Sequence, residues 1–336
     1  MKYYSIAKPY ITEKDRKSVL AVLNTDNLSL GPKCREFEKK FAKKLGVKYA
    51  CAVSSGTAGL HLALLACGIK EGDEVITSPF SFVASANAIL YVGAKPVFVD
   101  IDPLIYNMDV AKIEEKITGK TKAILVVHIF GQPCEMEPIM KIAKKYKLRI
   151  IEDACESIGA THKGKLAGTF GSAGVFAFYP NKQMTTGEGG MIITNSKKSC
   201  ALGISQLAKL DFMIKERRKI AGWYNKILKS DSSIIQTPAT AANNTHTWFV
   251  YVIKIKNKKI NRDRLIKNLK KLGISAKPYL PSIHLFDFYR KQFGYKLGDF
   301  PISEEMSAFS LALPIYLGLT ESDCFYIIKR LKKSYD

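Results

Sequence analysis

The residue best suited to covalent chemistry is Lys182, which lies between two apolar stretches of the sequence. Residues 176–194 read FAFYPNKQMTTGEGGMIIT, so the lysine follows one predicted strand and a Gly-rich turn leads into another. A lysine held near a phosphate and other cationic groups can lose its proton and form an imine. In a chain with 52 Lys and Arg residues, however, a single lysine is more often a solvated surface residue. Lys182 therefore needs partners elsewhere in the sequence.

Two carboxylates end an apolar stretch at residues 150–157, which read IIEDACES. In open α/β sheets, ligands bind outside the carboxyl ends of the parallel strands. A buried carboxylate there, such as Asp153, needs a cationic partner, and a protonated pyridine nitrogen is one such partner. An aspartate that merely caps the next turn fits the same pattern.

A third signal begins at Ser54, in the stretch SSGTAGLHLALLACG. Small and hydroxyl residues stand where a helix is predicted to begin, and the unpaired N–H groups of a helix N-terminus bind phosphate. Gly56 would let the backbone approach such a ligand, and Thr57 would add a hydroxyl. An ordinary capped core helix explains the stretch equally well. The order of the three signals, an anion-binding turn, a strand-end aspartate and a lysine in a Gly-rich loop, favours one shared site.

The elements that would position these residues alternate between strands and helices from about residue 50 to 195. Apolar strands are predicted within residues 73–80, 95–102 and 122–131, and helices between them, including an amphipathic helix over residues 109–117. Nearly continuous apolar strands separated by helices indicate a mostly parallel sheet covered on both faces.

The chain changes character after residue 210. A long helix is predicted near residues 206–229, followed by a strand in the stretch HTWFVYVIKI and a further helix. We expect a large domain with an N-terminal arm over residues 1–205. A connecting helix and a smaller α+β domain would follow over residues 206–336.

Composition narrows the class of function. The net charge of +22 favours anionic ligands, but the basic residues are spread along the chain and no groove-reading motif accompanies them, so nucleic-acid binding is disfavoured. Seven cysteines without a C-x-x-C motif indicate neither a disulfide framework nor a zinc site. No apolar stretch has the length of a membrane span or the pattern of a signal peptide. We expect a cytoplasmic protein without a metal.

Taken together, these stretches resemble the DegT/DnrJ/EryC1/StrS family of sugar aminotransferases, a branch of the fold-type-I enzymes that use pyridoxal 5'-phosphate. The resemblance covers most of the chain and includes SFVASANAILYVGAKPVFVDID, HIFGQPCEM and LPIYLGLT. It implies an α/β fold with a mostly parallel seven-stranded sheet in the large domain and a smaller C-terminal α+β domain. It also implies a homodimer.

The resemblance implies roles for the residues of the three signals. Lys182 would form the Schiff base with the cofactor and then shuttle protons, and Asp153 would keep the pyridine nitrogen protonated. Glu156 would lie near the 3-hydroxyl group of the ring. The remaining cofactor-binding residues would contact the phosphate or stack on the ring: Gly56, Thr57 and Phe82.

Four further residues match substrate-side positions of the family. Tyr279 and His284 lie in one such region, although a single histidine is more often structural. Asn27 and Ser29 lie in an N-terminal loop, which reads equally well as a simple turn before a helix.

The implied reaction has two halves. An amino acid, by resemblance glutamate, would leave as 2-oxoglutarate and convert the cofactor to pyridoxamine phosphate. That form would then aminate a nucleotide-linked keto sugar. The run Thr185–Gly190, TTGEGG, resembles that of members that aminate C4 of a 4-keto-6-deoxy sugar, whereas C3 enzymes more often carry a GKNLGALGDGG type of run. We therefore expect a 4-amino product, with a 3-amino product as the alternative.

Two rival functions remain within the fold. A deoxysugar dehydratase usually has histidine at the lysine position, so Lys182 argues against it. A non-catalytic, ligand-sensing relative would not need the pair of Asp153 and Lys182, but two departures from the family would suit it. Ala177 replaces a serine that usually touches the phosphate, at a cost of about 1 kcal/mol. A family segment with an Asn-aromatic-Arg motif, which reaches the neighbouring subunit's site, is also missing after Lys198; the intact flanks favour an omission from the sequence over a true loss.

Overall fold

The computed structural model describes residues 4–25, 31–194 and 210–335. Its first half is built on β-strands that are short, apolar and rich in β-branched residues. The strands are β1 Tyr49–Val53, β2 Glu74–Thr77, β3 Lys95–Phe98, β4 Thr121–Val127, β5 Arg149–Asp153, β6 Thr161–His162, β7 Lys165–Leu166, β8 Ala173–Ala177 and β9 Gly190–Thr194.

Seven of these strands form one sheet in the order β1-β9-β8-β5-β4-β2-β3. Strand β9 runs antiparallel to β1 and β8, and the other neighbouring pairs are parallel. The interior strand β4 is buried at every position except Lys122, as expected of a parallel strand covered on both faces. The α/β fold and the mostly parallel seven-stranded sheet predicted from the sequence are confirmed.

Helices connect the strands. They are α1 Glu13–Leu23, α2 Pro32–Leu45, α3 Gly56–Ala66, α4 Ala84–Tyr91 and α5 Met136–Lys145. The amphipathic patterns of α2 and α5 match their burial. In α5, Met136, Ile139, Ile142 and Ala143 face the core, a spacing that follows the helical period. Helix α2 begins with Pro32 and ends before Gly46, which has the left-handed conformation typical of a helix end.

The second half of the chain adds a three-stranded antiparallel sheet in the order β10-β12-β13. Its strands and the short β11, which pairs with β6, are β10 Ile235–Gln236, β11 Asn244–Thr245, β12 Tyr251–Ile255 and β13 Ser310–Leu313. The helices are α6 Leu210–Leu228, α7 Arg262–Lys271, α8 Asp287–Phe293, α9 Pro301–Phe309 and α10 Glu321–Lys332. The predicted domain boundary at residue 205 lies outside the described residues, so the division into residues 1–205 and 206–336 stays a prediction.

The predicted amphipathic helix over residues 109–117 is wrong. The chain forms two single 3-10 turns instead, Val110–Lys112 and Glu114–Lys116. Nine residues that include three β-branched side chains nucleate an α-helix poorly. Only Ile113 of this stretch is buried, so tertiary packing adds little to hold a longer helix.

The predicted strand over HTWFVYVIKI is shorter than expected, because only Tyr251–Ile255 joins the small sheet. The residues before it pair instead with the turn that follows β4: Thr247 N–H donates to the Gly131 carbonyl (2.9 Å) and Phe249 N–H to the Phe130 carbonyl (3.0 Å). Residues 246–249 therefore make a detour before β12. This detour connects the second half of the chain to the turn at the carboxyl end of β4 in the large sheet. None of the helices in the described ranges combines the length and apolar character needed to cross a bilayer.

Candidate active site

The N-terminus of α3 forms a tight, glycine-dependent turn. Ser55 caps it, since its side chain accepts a hydrogen bond from Ala58 N–H (3.1 Å). The N–H groups of Gly56 and Thr57 have no partner within the helix, as at any helix start. A Cβ on Gly56 would lie 2.8 Å from Cys155 Sγ, and one on Gly190 would lie 2.7 Å from the Ser55 carbonyl group. The Gly-rich run, whose last residue Gly190 begins β9, therefore packs directly on the start of α3.

Asp153 ends β5 and is held by two donors. Ser85 Oγ donates to one carboxylate oxygen at 2.7 Å, and the Cys155 N–H donates to the other at 3.1 Å. Ser85 lies in the first turn of α4, three residues after Phe82. The carboxylate is thus oriented from two elements, and sequence reasoning did not identify Ser85 as one of its partners.

Glu152 points to the opposite face of β5, as alternation along a strand requires. It is completely buried and accepts backbone hydrogen bonds from Gly168, Phe170 and Gly171 at 2.6–2.7 Å. It also pairs with His128 Nε2 at 2.9 Å. Of the two adjacent carboxylates, Glu152 therefore organises a loop, and Asp153 faces the cluster described below.

Lys182 contacts one carboxylate and one aromatic ring. Its Nζ donates to Glu156 Oε1 at 3.2 Å and lies 4.3 Å from the centre of the Phe249 ring. The other oxygen of Glu156 accepts a hydrogen bond from Phe130 N–H at 3.0 Å. Burial raises the pKa of Glu156, and the charge of Lys182 is the strongest influence that opposes the rise.

Cys155 lies where the three sequence signals meet. It packs against Gly56 at the start of α3 and donates its N–H to Asp153. Burial raises the pKa of its thiol well above the ordinary value, Asp153 raises it further, and Lys182 opposes the rise. The thiol is therefore neutral at physiological pH. Its surroundings bring the predicted anion-binding turn, strand-end carboxylate and lysine into one cluster.

Two other predicted residues lie close to this cluster. Phe82 precedes α4, and its side chain is 62% exposed. The Tyr279 ring packs 5.3 Å from that of Phe130, and burial raises the pKa of its hydroxyl, with a further contribution from Glu156. Tyr279 thus belongs to the surroundings of Glu156.

His284 has different surroundings. Its side chain is completely buried, pairs with Glu304 at 2.9 Å and packs on Phe300 with ring centres 4.7 Å apart. Burial lowers its pKa. These contacts favour a structural role over the predicted contact with substrate. Asn27 and Ser29, the other two predicted substrate residues, lie outside the described residues.

The residues present fit pyridoxal phosphate, the cofactor that the sequence resemblance implies. That group requires a primary amine, a carboxylate for its ring nitrogen and a site for its phosphate. Lys182 and Asp153 provide the first two. The start of α3 would provide the third through the N–H groups of its first turn. Glycine at positions 56 and 190 lets Cys155 and the Gly-rich run pack closely against this turn, where a Cβ would clash. Within the described ranges, no group of three or more His, Cys, Asp or Glu side chains is arranged to hold a metal ion.

Sequence reasoning missed the residues of the detour before β12. Besides Phe249, these include Thr247, whose hydroxyl accepts a hydrogen bond from Gln183 Nε2 at 3.0 Å. Gln183 Nε2 also donates to the Glu156 carbonyl. Only the unusual polar start of HTWFVYVIKI signals that this stretch does not continue as a regular strand.

Comparison with known proteins gives a consistent result. The model of the DegT/DnrJ/EryC1/StrS aminotransferase family matches residues 9–199 and 196–332. The GDP-perosamine synthase of Caulobacter vibrioides is 37% identical, with 97% of each chain covered. The spore coat polysaccharide biosynthesis protein SpsC of Bacillus subtilis is 35% identical, with 96% of this chain and 95% of SpsC covered. The structure of PseC from Helicobacter pylori, an aminotransferase involved in pseudoaminic acid biosynthesis, superposes with a TM-score of 0.92 at 27% identity and 99% coverage of both chains.

The comparisons also bear on the segment that is missing after Lys198. The two stretches matched by the family model meet at residues 196–199. The alignment with the Caulobacter synthase extends over 362 positions, although this chain has 336 residues. That relative therefore carries residues without a counterpart here. Residues 195–209 lie outside the described residues.

Proposed function

The chain belongs to the DegT/DnrJ/EryC1/StrS aminotransferase family, and on this premise we propose that it transfers an amino group to a nucleotide-linked keto sugar, with Lys182 bonding the cofactor. As a member of this family it is an aminotransferase that uses pyridoxal phosphate. The observation that carries the assignment is the cluster around Cys155, where the start of α3, Asp153 and Lys182 come together.

The substrate class rests on the relatives and on charge. Relatives that share more than a third of their sequence with this chain are named GDP-perosamine synthases. A net charge of +22 suits a nucleotide diphosphate. The TTGEGG run favours amination at C4 of a 4-keto-6-deoxy sugar, with a 3-amino product as the alternative.

Each residue of the cluster has a separate task. When bound, pyridoxal phosphate supplies the electron sink that makes amino transfer possible. Gly56 and Thr57 would hold its phosphate with backbone N–H groups, and Phe82 would cover its ring. Asp153, fixed by Ser85 and the Cys155 N–H, would keep a proton on the ring nitrogen.

Lys182 would hold the cofactor covalently and, once released, move the proton at its Nζ. Glu156 accepts a hydrogen bond from that Nζ at 3.2 Å and so keeps the lysine beside the reacting atoms. The side chain of Lys182 is mostly buried, which limits competing proton exchange with water. This arrangement suits general acid–base catalysis by one residue in both halves of the reaction.

The first test is an absorbance spectrum of the purified protein with added pyridoxal phosphate and then with excess glutamate. We expect a visible band from the lysine-bound cofactor that converts to the shorter-wavelength band of pyridoxamine phosphate. Lys182→Ala should abolish the visible band, whereas Lys120→Ala, which changes an exposed lysine, should keep it. A wild-type protein without a visible band would support the non-catalytic, ligand-sensing alternative.

The second test identifies the product. The protein is incubated with glutamate and a 4-keto-6-deoxy nucleotide sugar, and NMR determines which carbon carries nitrogen. Nitrogen at C4 with stoichiometric 2-oxoglutarate is the expected result. Nitrogen at C3 would reject the regiochemical proposal and keep the aminotransferase assignment.

We also propose that the protein acts as a homodimer, because Phe82 and Tyr179 are both more than half exposed beside the cluster. Sedimentation equilibrium should give twice the chain mass of 37.4 kDa. A monomer that still turns over substrate would reject this proposal. A cytoplasmic location stays a prediction from the sequence.

A further inference from the structure

Phe249 contacts the reacting nitrogen of Lys182, although it lies 67 positions further along the chain. The Lys182 Nζ stands 4.3 Å from the centre of its ring, within the distance at which a cation is attracted to an aromatic face. The ring is 1% exposed, so water does not screen this contact. A desolvated contact of this kind is stronger than one at the surface.

The position of the Phe249 ring is fixed by its backbone. Its N–H donates to the Phe130 carbonyl at 3.0 Å, and its carbonyl accepts a hydrogen bond from the buried Arg217 at 3.0 Å. Arg217 also binds the carbonyls of Trp248 and Ile315, so it joins α6, the detour before β12 and the chain after β13. The ring is thus held before any ligand binds.

One residue connects the two groups that contact Lys182. The Phe130 N–H donates to Glu156, and the Phe130 carbonyl accepts from Phe249. Phe130 has φ of 59°, a left-handed conformation that bulky residues rarely adopt. The carboxylate and the ring are therefore set relative to each other by a single strained residue.

From this geometry we infer that Phe249 is part of the catalytic machinery: when Lys182 is not bonded to the cofactor and carries a proton, the Phe249 ring and the Glu156 carboxylate together hold its ammonium group in place. The inference rests on the proposed function, in which the released lysine carries a proton at Nζ. An aromatic face attracts the ammonium form and not the neutral amine. The ring therefore retains the proton-carrying form next to the reacting atoms.

Other charged or titratable groups also face this lysine or its partners. Asp153 and Cys155 lie at the end of β5, and Tyr279 lies beside Glu156. Lys8 and Arg217 line a small cavity together with Lys182. The test must change the ring without changing these groups.

The test measures how fast acetic anhydride acetylates Lys182 in cofactor-free protein at neutral pH, with peptide mass spectrometry as the readout. Only the neutral amine reacts. A fluorinated phenylalanine at position 249 keeps the shape of the ring but weakens its attraction for a cation, so we expect acetylation of Lys182 about fivefold faster, the size of one such contact. Phe249→Leu should have a similar effect.

The matched control is Phe80, another fully buried phenylalanine, which packs on Phe130 with ring centres 5.9 Å apart. Phe80→Leu should lower thermal stability as Phe249→Leu does, because both remove buried ring atoms. Neither Phe80→Leu nor fluorination at position 80 should change the acetylation rate. Equal rates in wild type and both fluorinated proteins would overturn the inference. Because the assay contains no cofactor, its result is independent of whether the proposed aminotransferase spectrum appears.

Discussion

At the scale of single residues, Glu152 and Asp153 are neighbours in the sequence with different surroundings. Glu152 accepts three backbone hydrogen bonds and pairs with His128, whereas Asp153 is held by Ser85 and the Cys155 N–H and faces the cluster. Alternation along β5 separates them but does not say which of the two faces a ligand, so the choice of Asp153 depended on the resemblance to the family.

This difference predicts that removing the charge of Asp153 lowers turnover, whereas removing the charge of Glu152 lowers stability. Asp153→Asn should lower turnover roughly 100-fold or more, because an amide cannot hold a proton on the cofactor nitrogen, with little loss of thermal stability. Glu152→Gln should lower the free energy of unfolding by about 2–4 kcal/mol, because it weakens buried charge-assisted hydrogen bonds. Turnover measurements and chemical denaturation of both variants decide the matter. Equal loss of turnover in the two would contradict the separation of roles.

A substitution at Ala177 should strengthen cofactor binding. It ends β8, and its Cβ would lie 2.9 Å from a Cβ placed on Gly56, so a side chain here faces the start of α3. Ala177→Ser should add one hydroxyl near the phosphate site and tighten cofactor binding by about 1 kcal/mol, roughly fivefold in Kd. Equilibrium titration of the cofactor-free protein measures this. Ala111→Ser, at an exposed site, serves as control, and an unchanged Kd for Ala177→Ser would place the phosphate elsewhere.

At the scale of elements, the start of α3 depends on the Gly-rich run that leads into β9. A Cβ on Gly190 would lie 2.7 Å from the Ser55 carbonyl group and 2.9 Å from the Gly56 nitrogen. These are backbone atoms that cannot rotate away. The TTGEGG run therefore has a packing requirement in addition to any role in choosing the substrate.

Gly190→Ala should consequently push the first turn of α3 out of place, at a cost of about 1–3 kcal/mol. Cofactor affinity should fall more than thermal stability, because the displaced N–H groups are those that would hold the phosphate. Titration with pyridoxal phosphate and a thermal melt provide the comparison. Gly119→Ala is the matched control, since a Cβ there meets no atom within 4 Å. Unchanged affinity in Gly190→Ala would remove α3 from the site.

The elements also show where sequence reasoning stops. Elements such as β4 and α5 were predictable because they bury apolar residues at the spacing of a covered strand or of a helix. The 109–117 stretch was misassigned because its pattern ignores how little of it packs. The detour before β12 was missed because Thr247 and Phe249 bond to the turn at Phe130 and Gly131, which only the folded chain brings near. The contact between Phe249 and Lys182 follows from that detour and could not be read from spacing.

At the scale of the whole molecule, the family, the cofactor and the mostly parallel sheet follow from a few stretches whose chemistry needs fixed spacing. The reason for the missing segment cannot be read from such stretches. The two matched parts of the family model meet at residues 196–199, and the described residues resume only at Leu210. An intact mass of 37.4 kDa would exclude the explanation that the sequence omits a stretch. Contacts with the phosphate from a neighbouring subunit would then have to come from other residues.

The stability of the fold should depend on pH through His246, which lies at the start of the same detour. Its Nδ1 accepts a hydrogen bond from Trp248 N–H at 2.9 Å, and its ring stacks on the Trp248 ring at 3.9 Å. Burial, with a smaller contribution from Arg218, lowers its pKa from 6.5 to about 3. The folded protein therefore keeps this histidine neutral where the unfolded chain has it protonated.

Because the unfolded state binds the extra proton, stability should decline as the pH falls below 6.5 and until it nears the folded pKa of about 3. The slope from this one group is at most about 1.4 kcal/mol per pH unit. His246→Asn keeps an acceptor for the Trp248 N–H but cannot be protonated, so urea denaturation across this pH range should give a shallower decline than in wild type. His61→Asn, which changes a partly buried histidine of α3, serves as the matched control for the same substitution. If the free energy of unfolding of wild type and of His246→Asn fell with pH at the same slope, acid would weaken the fold through other groups. His246 would then be able to carry a charge in the folded protein.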